Sequence, residues 1–347
     1  MGLIVEKIYL DRNENNYGPS EKCLESVKLV TPDLFNIYSS AYKSGYKSTL
    51  SKRLSDDFNI SEDRVLLGYG AEDLLKQVVQ TYLNEKEDKL LVPDHSWWYY
   101  KEIANETNSI SLEYPIVEGE ESYEYDINKL LDIYNAEKPK VVFIASPNNP
   151  TGNSISDDQL TYVLDRMNEA VIVLDEAYWF SNGNDKATEL VNKYPNLIII
   201  RTFSKLYALA GIRIGYAIIG EQLNQIKKIS NRYLGYNRIS EKIALAAMDS
   251  GEYYSGIAEK MASDRALYFS ELNKIKNIKV FKSEANFVLV KIEKDLMSPL
   301  KEFLVERGVI IKFMDEEIVN SHLRITIGTQ EENRRVIDAI TEFYKSL

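Results

Sequence analysis

The chain has 347 residues, more than one core comfortably fills, so a large domain with a smaller companion is the default arrangement. A formal charge of −11 excludes a basic nucleic-acid footprint, and an anionic membrane surface would repel the chain. One cysteine, Cys23, and two histidines, His95 and His322, provide neither a disulfide framework nor a thiolate–imidazole set, so no metal is expected.

At the N-terminus the apolar stretch is too short and too charged for a signal peptide or a membrane span, which predicts a cytoplasmic protein. Residues 1–32 lack a core pattern and read as an arm that packs on the smaller domain. Short β-branched runs then alternate with amphipathic segments. "DRVLLGYG" (63–70) leads into "AEDLLKQVVQTYL", which has apolar residues at helical spacing. "DKLLVPD" (88–94) leads into "SWWYYKEIANET". "PKVVFIASP" (139–147) is followed by "NNPTG" and by "SDDQLTYVLDRM", whose Ser and Asp residues suit a helix start. "EAVIVLDEAY" (169–178) and "PNLIIIRTFSK" (195–205) complete the set. Near-continuous apolar strands alternating with helices predict an α/β domain, a mostly parallel sheet with helices on both faces, over residues 33–245. From about residue 245 the pattern changes. One long helix over 251–275 and shorter strands within 278–292 and 321–329 predict a smaller α+β domain, residues 246–347.

In an open parallel sheet, ligands bind outside the carboxyl ends of the strands. Four runs present polar residues there: Gly70, Asn149, Asp175 and Lys205. Each alone has an ordinary explanation, as a strand–turn–helix junction, a loop, a helix cap and a solvated lysine. "GYGAED" is not a dinucleotide fingerprint, because Asp73 stands where the third glycine belongs. Taken together the four fit one cofactor. Pyridoxal 5′-phosphate has an aldehyde for a lysine, a pyridine nitrogen for a carboxylate, a phenolate oxygen for donors, and a phosphate for a helix N-terminus.

"NENNYGPS", "NNPTG", "DEAY", "SKLYALAGIRIGY" and the late "LRITIGT" occur in that order across the whole chain. In this the sequence resembles the fold-type I pyridoxal-phosphate aminotransferases, and most closely the histidinol-phosphate aminotransferase subgroup. The resemblance implies that Lys205 forms the Schiff base and moves the proton, and that Asp175 pairs with the ring nitrogen. Asn149 and Tyr178 would bond the phenolic oxygen. Gly70, Ala71, Thr202, Ser204 and Arg213 would hold the phosphate, with Tyr42 reaching it from the second subunit of a homodimer. The ring would stack on Trp97 or on its neighbour Trp98, residues that also read as packing aromatics.

On the substrate side, Arg324 in "LRIT" matches the arginine that grips an acidic group, with Tyr17 and Asn286 beside it. Two positions depart from the subgroup. Lys312 in "GVIIKF" stands where a second arginine is usual, and Gln330 replaces the arginine after "GT". A lysine is a point charge on a flexible stem and does not reproduce a planar fork. Lys312 reads equally as a substrate contact and as a solvated surface lysine. The expected activity is transamination of a small anionic, phosphorylated amino compound, with a 2-oxo acid as second substrate. Decarboxylation of a phospho-amino acid on the same fold is the alternative. A pyridoxal-binding regulator is a third reading, disfavoured because Lys205 and Asp175 are both present and no length is left for a DNA-binding module.

Overall fold

The computed structural model describes residues 6–180, 185–231, 234–316 and 319–347. In chain order its strands are β1 (Ile8–Leu10), β2 (Val65–Gly68), β3 (Lys89–Pro93), β4 (Ile110–Tyr114), β5 (Ile116–Glu118), β6 (Tyr123–Tyr125) and β7 (Val141–Ala145). There follow β8 (Val171–Asp175), β9 (Leu197–Thr202), β10 (Gly215–Ile219), β11 (Lys279–Val280), β12 (Phe287–Lys291), β13 (Val309–Phe313) and β14 (His322–Thr326).

Seven strands form the large sheet in the order β2-β10-β9-β8-β7-β3-β4. Only β10 runs against its neighbours in that sheet. The apolar runs are continuous because both faces are covered. Val142 and Ile144 of β7 enter the core on one side, while Val141, Phe143 and Ala145 enter the core on the other. The sequence reading does not anticipate β4 and β10. β4 is one of the two edge strands, and its mixed exposure gives it no apolar run. β10 is fully buried but lies inside the "GIRIGY" motif, where its residues read as part of a loop.

The second sheet has the order β1-β13-β14-β12-β11, and its core is capped by the helices Gly251–Leu272 and Gln330–Lys345. β1 pairs in parallel with β13, so the N-terminal arm begins as an edge strand of this sheet. The next residues, 11–14, are thereby delivered to the gap between the two sheets. The arm's helix, Glu21–Lys28, then lies against the helix Arg238–Met248. The hairpin β5–β6 bridges the sheets: Glu118 pairs with Lys279 at 3.0 Å and with Lys291 at 2.7 Å, and Tyr123 stacks near Phe281. Among the described residues, no helix is long and apolar enough to cross a membrane.

Candidate active site

The carboxyl edge of the large sheet opens into a crevice of about 820 Å³, closed on its far side by β14 and the loop after β13. Because β7, β8 and β9 are parallel neighbours, the residues that end them converge there: Asn149 after β7, Asp175 closing β8, and Thr202, Ser204 and Lys205 at and after β9. Arg213 precedes β10. That strand is antiparallel, so its start lies at the same edge, and Arg213 also lines the crevice. Trp97 and Trp98, after β3, both line the crevice; Trp98 is the more exposed.

Gly70 occupies the turn between β2 and the helix Ala71–Tyr82. Its φ of +85° favours glycine, and a Cβ there would lie 2.7 Å from Arg213 Nη2. The helix starts without a side-chain cap from residue 70, leaving its first N–H groups for an anion. Gly215 matters as well: a Cβ at that position would meet Gly70 and Ala71 backbone atoms at 2.8 and 2.9 Å. Arg213 holds a left-handed φ of +51°, aiming its guanidinium at this turn, with Nη2 3.3 Å from the Tyr69 carbonyl and Nη1 3.5 Å from Ser204 Oγ. Glu72 Oε2 stands 3.7 Å from Arg213 Nη2. Thr202 Oγ1 donates to Ser204 Oγ at 3.0 Å and accepts from the Ser204 N–H at 3.1 Å. Two hydroxyls, a guanidinium and a helix N-terminus make a cradle suited to an anion.

Asp175 is buried, and burial pushes its carboxyl pKa up, opposed by two hydrogen bonds. Tyr100 Oη donates to Asp175 Oδ2 at 2.6 Å, and the Ala177 N–H donates to Oδ1 at 3.0 Å. A buried carboxylate of this kind suits a protonated ring nitrogen. Lys205 Nζ lies over the Tyr178 ring, 5.2 Å from its centre, and donates to the carbonyls of Asn13 and Arg12 at 3.2 and 3.3 Å. The first asparagine of "NNPTG", Asn148, is fully buried. It accepts from Ser96 Oγ and donates to the His95 carbonyl, each at 2.6 Å, which ties the loop to the segment carrying Trp97.

On the facing sheet, Arg324 and Lys312 are register partners across β13 and β14, so their side chains share the crevice face. Arg324 Nη1 donates to Asn149 Oδ1 and Nη2 to the Asp11 carbonyl, both at 2.7 Å, while its buried Nε has no partner among the described residues. Burial pushes the Arg324 pKa down, opposed by Tyr178, Asp11 and Glu316. Lys312 is half exposed, and its ammonium sits 3.6 Å from Asp315.

Three expected residues do not line the crevice of their own chain, and Tyr42 is expected there only from the second subunit. Tyr17 does not line the crevice; its ring faces the Lys260 ammonium at 5.3 Å. Asn286 is fully buried behind the wall, where Nδ2 donates to the Asn13 carbonyl at 2.9 Å. Tyr42 is exposed and away from its own chain's crevice. The lining also includes Arg12, Asn13, Tyr100 and Glu316, which the sequence reading does not select. Asn13 sits inside "NENNYGPS", a signal that could have found it. Tyr100 sits among packing aromatics and carries no such signal.

The Gly70 cradle, the buried Asp175, the Lys205 side chain held on the Asn13 and Arg12 carbonyls, and the Arg324 Nε without a partner among the described residues fit pyridoxal 5′-phosphate and an acidic substrate group. Fold and site together define a fold-type I pyridoxal-phosphate enzyme. The chain belongs to the aminotransferase class I and II family, whose profile matches residues 5–340, and it is a pyridoxal-phosphate-dependent aminotransferase. It is 32% identical over 340 residues to histidinol-phosphate aminotransferase 2 of Archaeoglobus fulgidus, covering 97% of this chain and 93% of that one. To the histidinol-phosphate aminotransferase of Ruminiclostridium cellulolyticum it is 30% identical over 338 residues, with 96% and 92% covered. The crystal structure of the Sinorhizobium meliloti histidinol-phosphate aminotransferase with pyridoxal 5′-phosphate superposes with a TM-score of 0.84 at 21% identity, covering 98% of this chain and 92% of that one.

Proposed function

We propose that this aminotransferase takes its amino group from a small phosphorylated amino compound of the histidinol-phosphate class and passes it to a 2-oxo acid. One observation carries the substrate reading. Arg324 is half-buried at the crevice wall, its buried Nε is without a partner among the described residues, and Lys312 stands directly across the strand pair. A buried guanidinium suits carboxylate and phosphate alike, and the flexible Lys312 can follow an anion that an arginine fork would hold in one place.

When bound, the cofactor supplies an electron sink for charge developing at the substrate's Cα. Lys205 would hold the cofactor and would carry the Cα proton. Asp175 keeps the ring nitrogen protonated. Asn149 and Tyr178 would hold the phenolic oxygen, and Trp97 would pack on the ring. Gly70, Ala71, Thr202, Ser204 and Arg213 hold the phosphate. Arg324 fixes the substrate's acidic group, and Asn286 acts behind it by holding the Asn13 carbonyl. We assign residues 1–32 to an arm, 33–245 to the cofactor domain and 246–347 to the small domain.

We also place the enzyme in the cytoplasm as a homodimer. In support of the dimer, Leu24, Leu29, Phe35, Ile37, Tyr38 and Tyr42 are all more than half exposed within the arm and the segment after it, an apolar surface of the kind a second copy covers. Tyr42 would reach the partner's phosphate cradle from there.

The test is to supply the holoenzyme with histidinol phosphate or phosphoserine plus a 2-oxo acid, following amino transfer and carbon dioxide together. Amino transfer from a phosphorylated donor, absent with its dephosphorylated counterpart, supports the reading. Carbon dioxide release without amino transfer would establish the decarboxylase alternative instead.

A further inference from the structure

We infer that Asn13 is a positioning residue that commits the Tyr178 hydroxyl proton to the crevice; this rests on the cofactor site proposed above. Asn13 is buried and held at a φ of +56°, a conformation asparagine tolerates better than most residues. Every polar group it has is engaged. Its N–H donates to Thr326 Oγ1 at 2.9 Å, and its carbonyl accepts from Asn286 Nδ2 at 2.9 Å and from Lys205 Nζ at 3.2 Å. The Thr326 hydroxyl donates in turn to Asn13 Oδ1 at 3.2 Å. That leaves the amide Nδ2, which donates to Tyr178 Oη at 3.0 Å.

The direction of this last bond is set by Thr326. Were the amide turned over, its nitrogen would face Thr326 Oγ1, which already accepts the Asn13 N–H. The buried threonine hydroxyl would then have no acceptor for its proton among the described residues, an arrangement proteins avoid. With the amide fixed, Tyr178 receives a hydrogen bond from Asn13 and keeps its own proton. Tyr178 lines the crevice, and its ring is clamped edge-on against Phe287 at 5.2 Å and 87°. The clamp fixes where the oxygen sits, and Asn13 fixes what the oxygen does. Tyr178 must donate into the crevice, to an anionic oxygen such as the phenolate of the cofactor. The same residue links this hydroxyl to the Lys205 ammonium through its carbonyl, and to β14 two positions from Arg324 through Thr326.

The test is a double-mutant cycle on the holoenzyme with Asn13→Gly and Tyr178→Phe. Glycine keeps the left-handed backbone and its three backbone contacts, to Thr326, Asn286 and Lys205, but deletes the amide. Asn13→Gly should weaken cofactor binding about fivefold, the value of one hydrogen bond, and shift the pH midpoint of the cofactor's visible absorption band. In the Tyr178→Phe background the same substitution should change both by less than about 1.5-fold, because the group it acts through is gone. Asn13→Asp, equal in shape but offering an acceptor where a donor stood, should be worse than Asn13→Gly in both measurements. Equal effects of Asn13→Gly in both backgrounds would mean a purely structural role and overturn the inference, as would Asn13→Asp matching wild type. Thermal melts of the cofactor-free variants check folding. If wild-type protein gave no visible band with pyridoxal phosphate, the cofactor site itself would be wrong, a result distinct from failure of the cycle.

Discussion

Replacing Tyr100 with phenylalanine removes one oxygen and leaves the ring seated between Trp97 and Phe143, whose centres lie 5.8 and 5.1 Å away. The lost group is the donor 2.6 Å from Asp175 Oδ2, after which the Ala177 N–H is the carboxylate's remaining donor. A hydrogen bond to a charged acceptor contributes about 1.5–3 kcal/mol, so ionised Asp175 is destabilised by about that amount. The sign with pH follows. The Asp175 pKa is raised in the folded protein, by burial first, so its ionisation costs stability above the folded value, and that cost vanishes below the ordinary 3.8. Tyr100→Phe raises the folded pKa further. Cofactor-free Tyr100→Phe should therefore be less stable than wild type at neutral pH, and the difference should shrink as pH falls through the folded pKa. Bound cofactor should narrow the gap, since a protonated ring nitrogen replaces the lost donor's stabilisation. Urea unfolding of both proteins from pH 5 to 8, with and without pyridoxal phosphate, measures this. Equal stability at every pH would show that the Tyr100–Asp175 bond carries no weight.

Arg324→Ala should lower kcat/KM by about 2–5 kcal/mol of transition-state binding, the range for truncating one partner of a buried charge pair. Lys312→Ala should cost about 1 kcal/mol or less, because Lys312 is half exposed and already near Asp315; an equal loss would move the substrate anion onto Lys312. Burial holds His322 neutral, with its pKa lowered from 6.5 to about 4, so the unfolded chain binds the extra proton and stability falls as pH drops from 6.5 towards 4. The loss is at most about 3 kcal/mol. His322→Gln should flatten that part of the stability–pH curve, and an unchanged slope would assign it to other groups.

Much of this was legible in the sequence because the large sheet is buried on both faces. Its strands appear as unbroken apolar runs, so the polar residues ending them, Asn149, Asp175 and Lys205, stand out. β4 has no such run because most of its side chains are exposed or half-exposed, and the buried residues of β10 sit inside a motif. Arg213 could be assigned to the cradle by resemblance, but its route there depends on β10 being antiparallel. Contacts that join distant segments left no periodic trace. Asn13 meets Thr326 and Asn286 only because β1 joins the far sheet, and Tyr100 meets Asp175 across 75 positions. Residues 11–14 line the crevice, whereas the ring of Tyr17 faces the Lys260 ammonium.

The account rests on Asp175 and Lys205 bracketing one ring, from the nitrogen side and from the aldehyde side. Reducing the holoenzyme with borohydride and mapping the labelled peptide tests this most directly. Loss of the visible band and a stable pyridoxyl group on Lys205 are expected, with no label in Lys205→Ala. Label on any other lysine, or full labelling of Lys205→Ala, would contradict it.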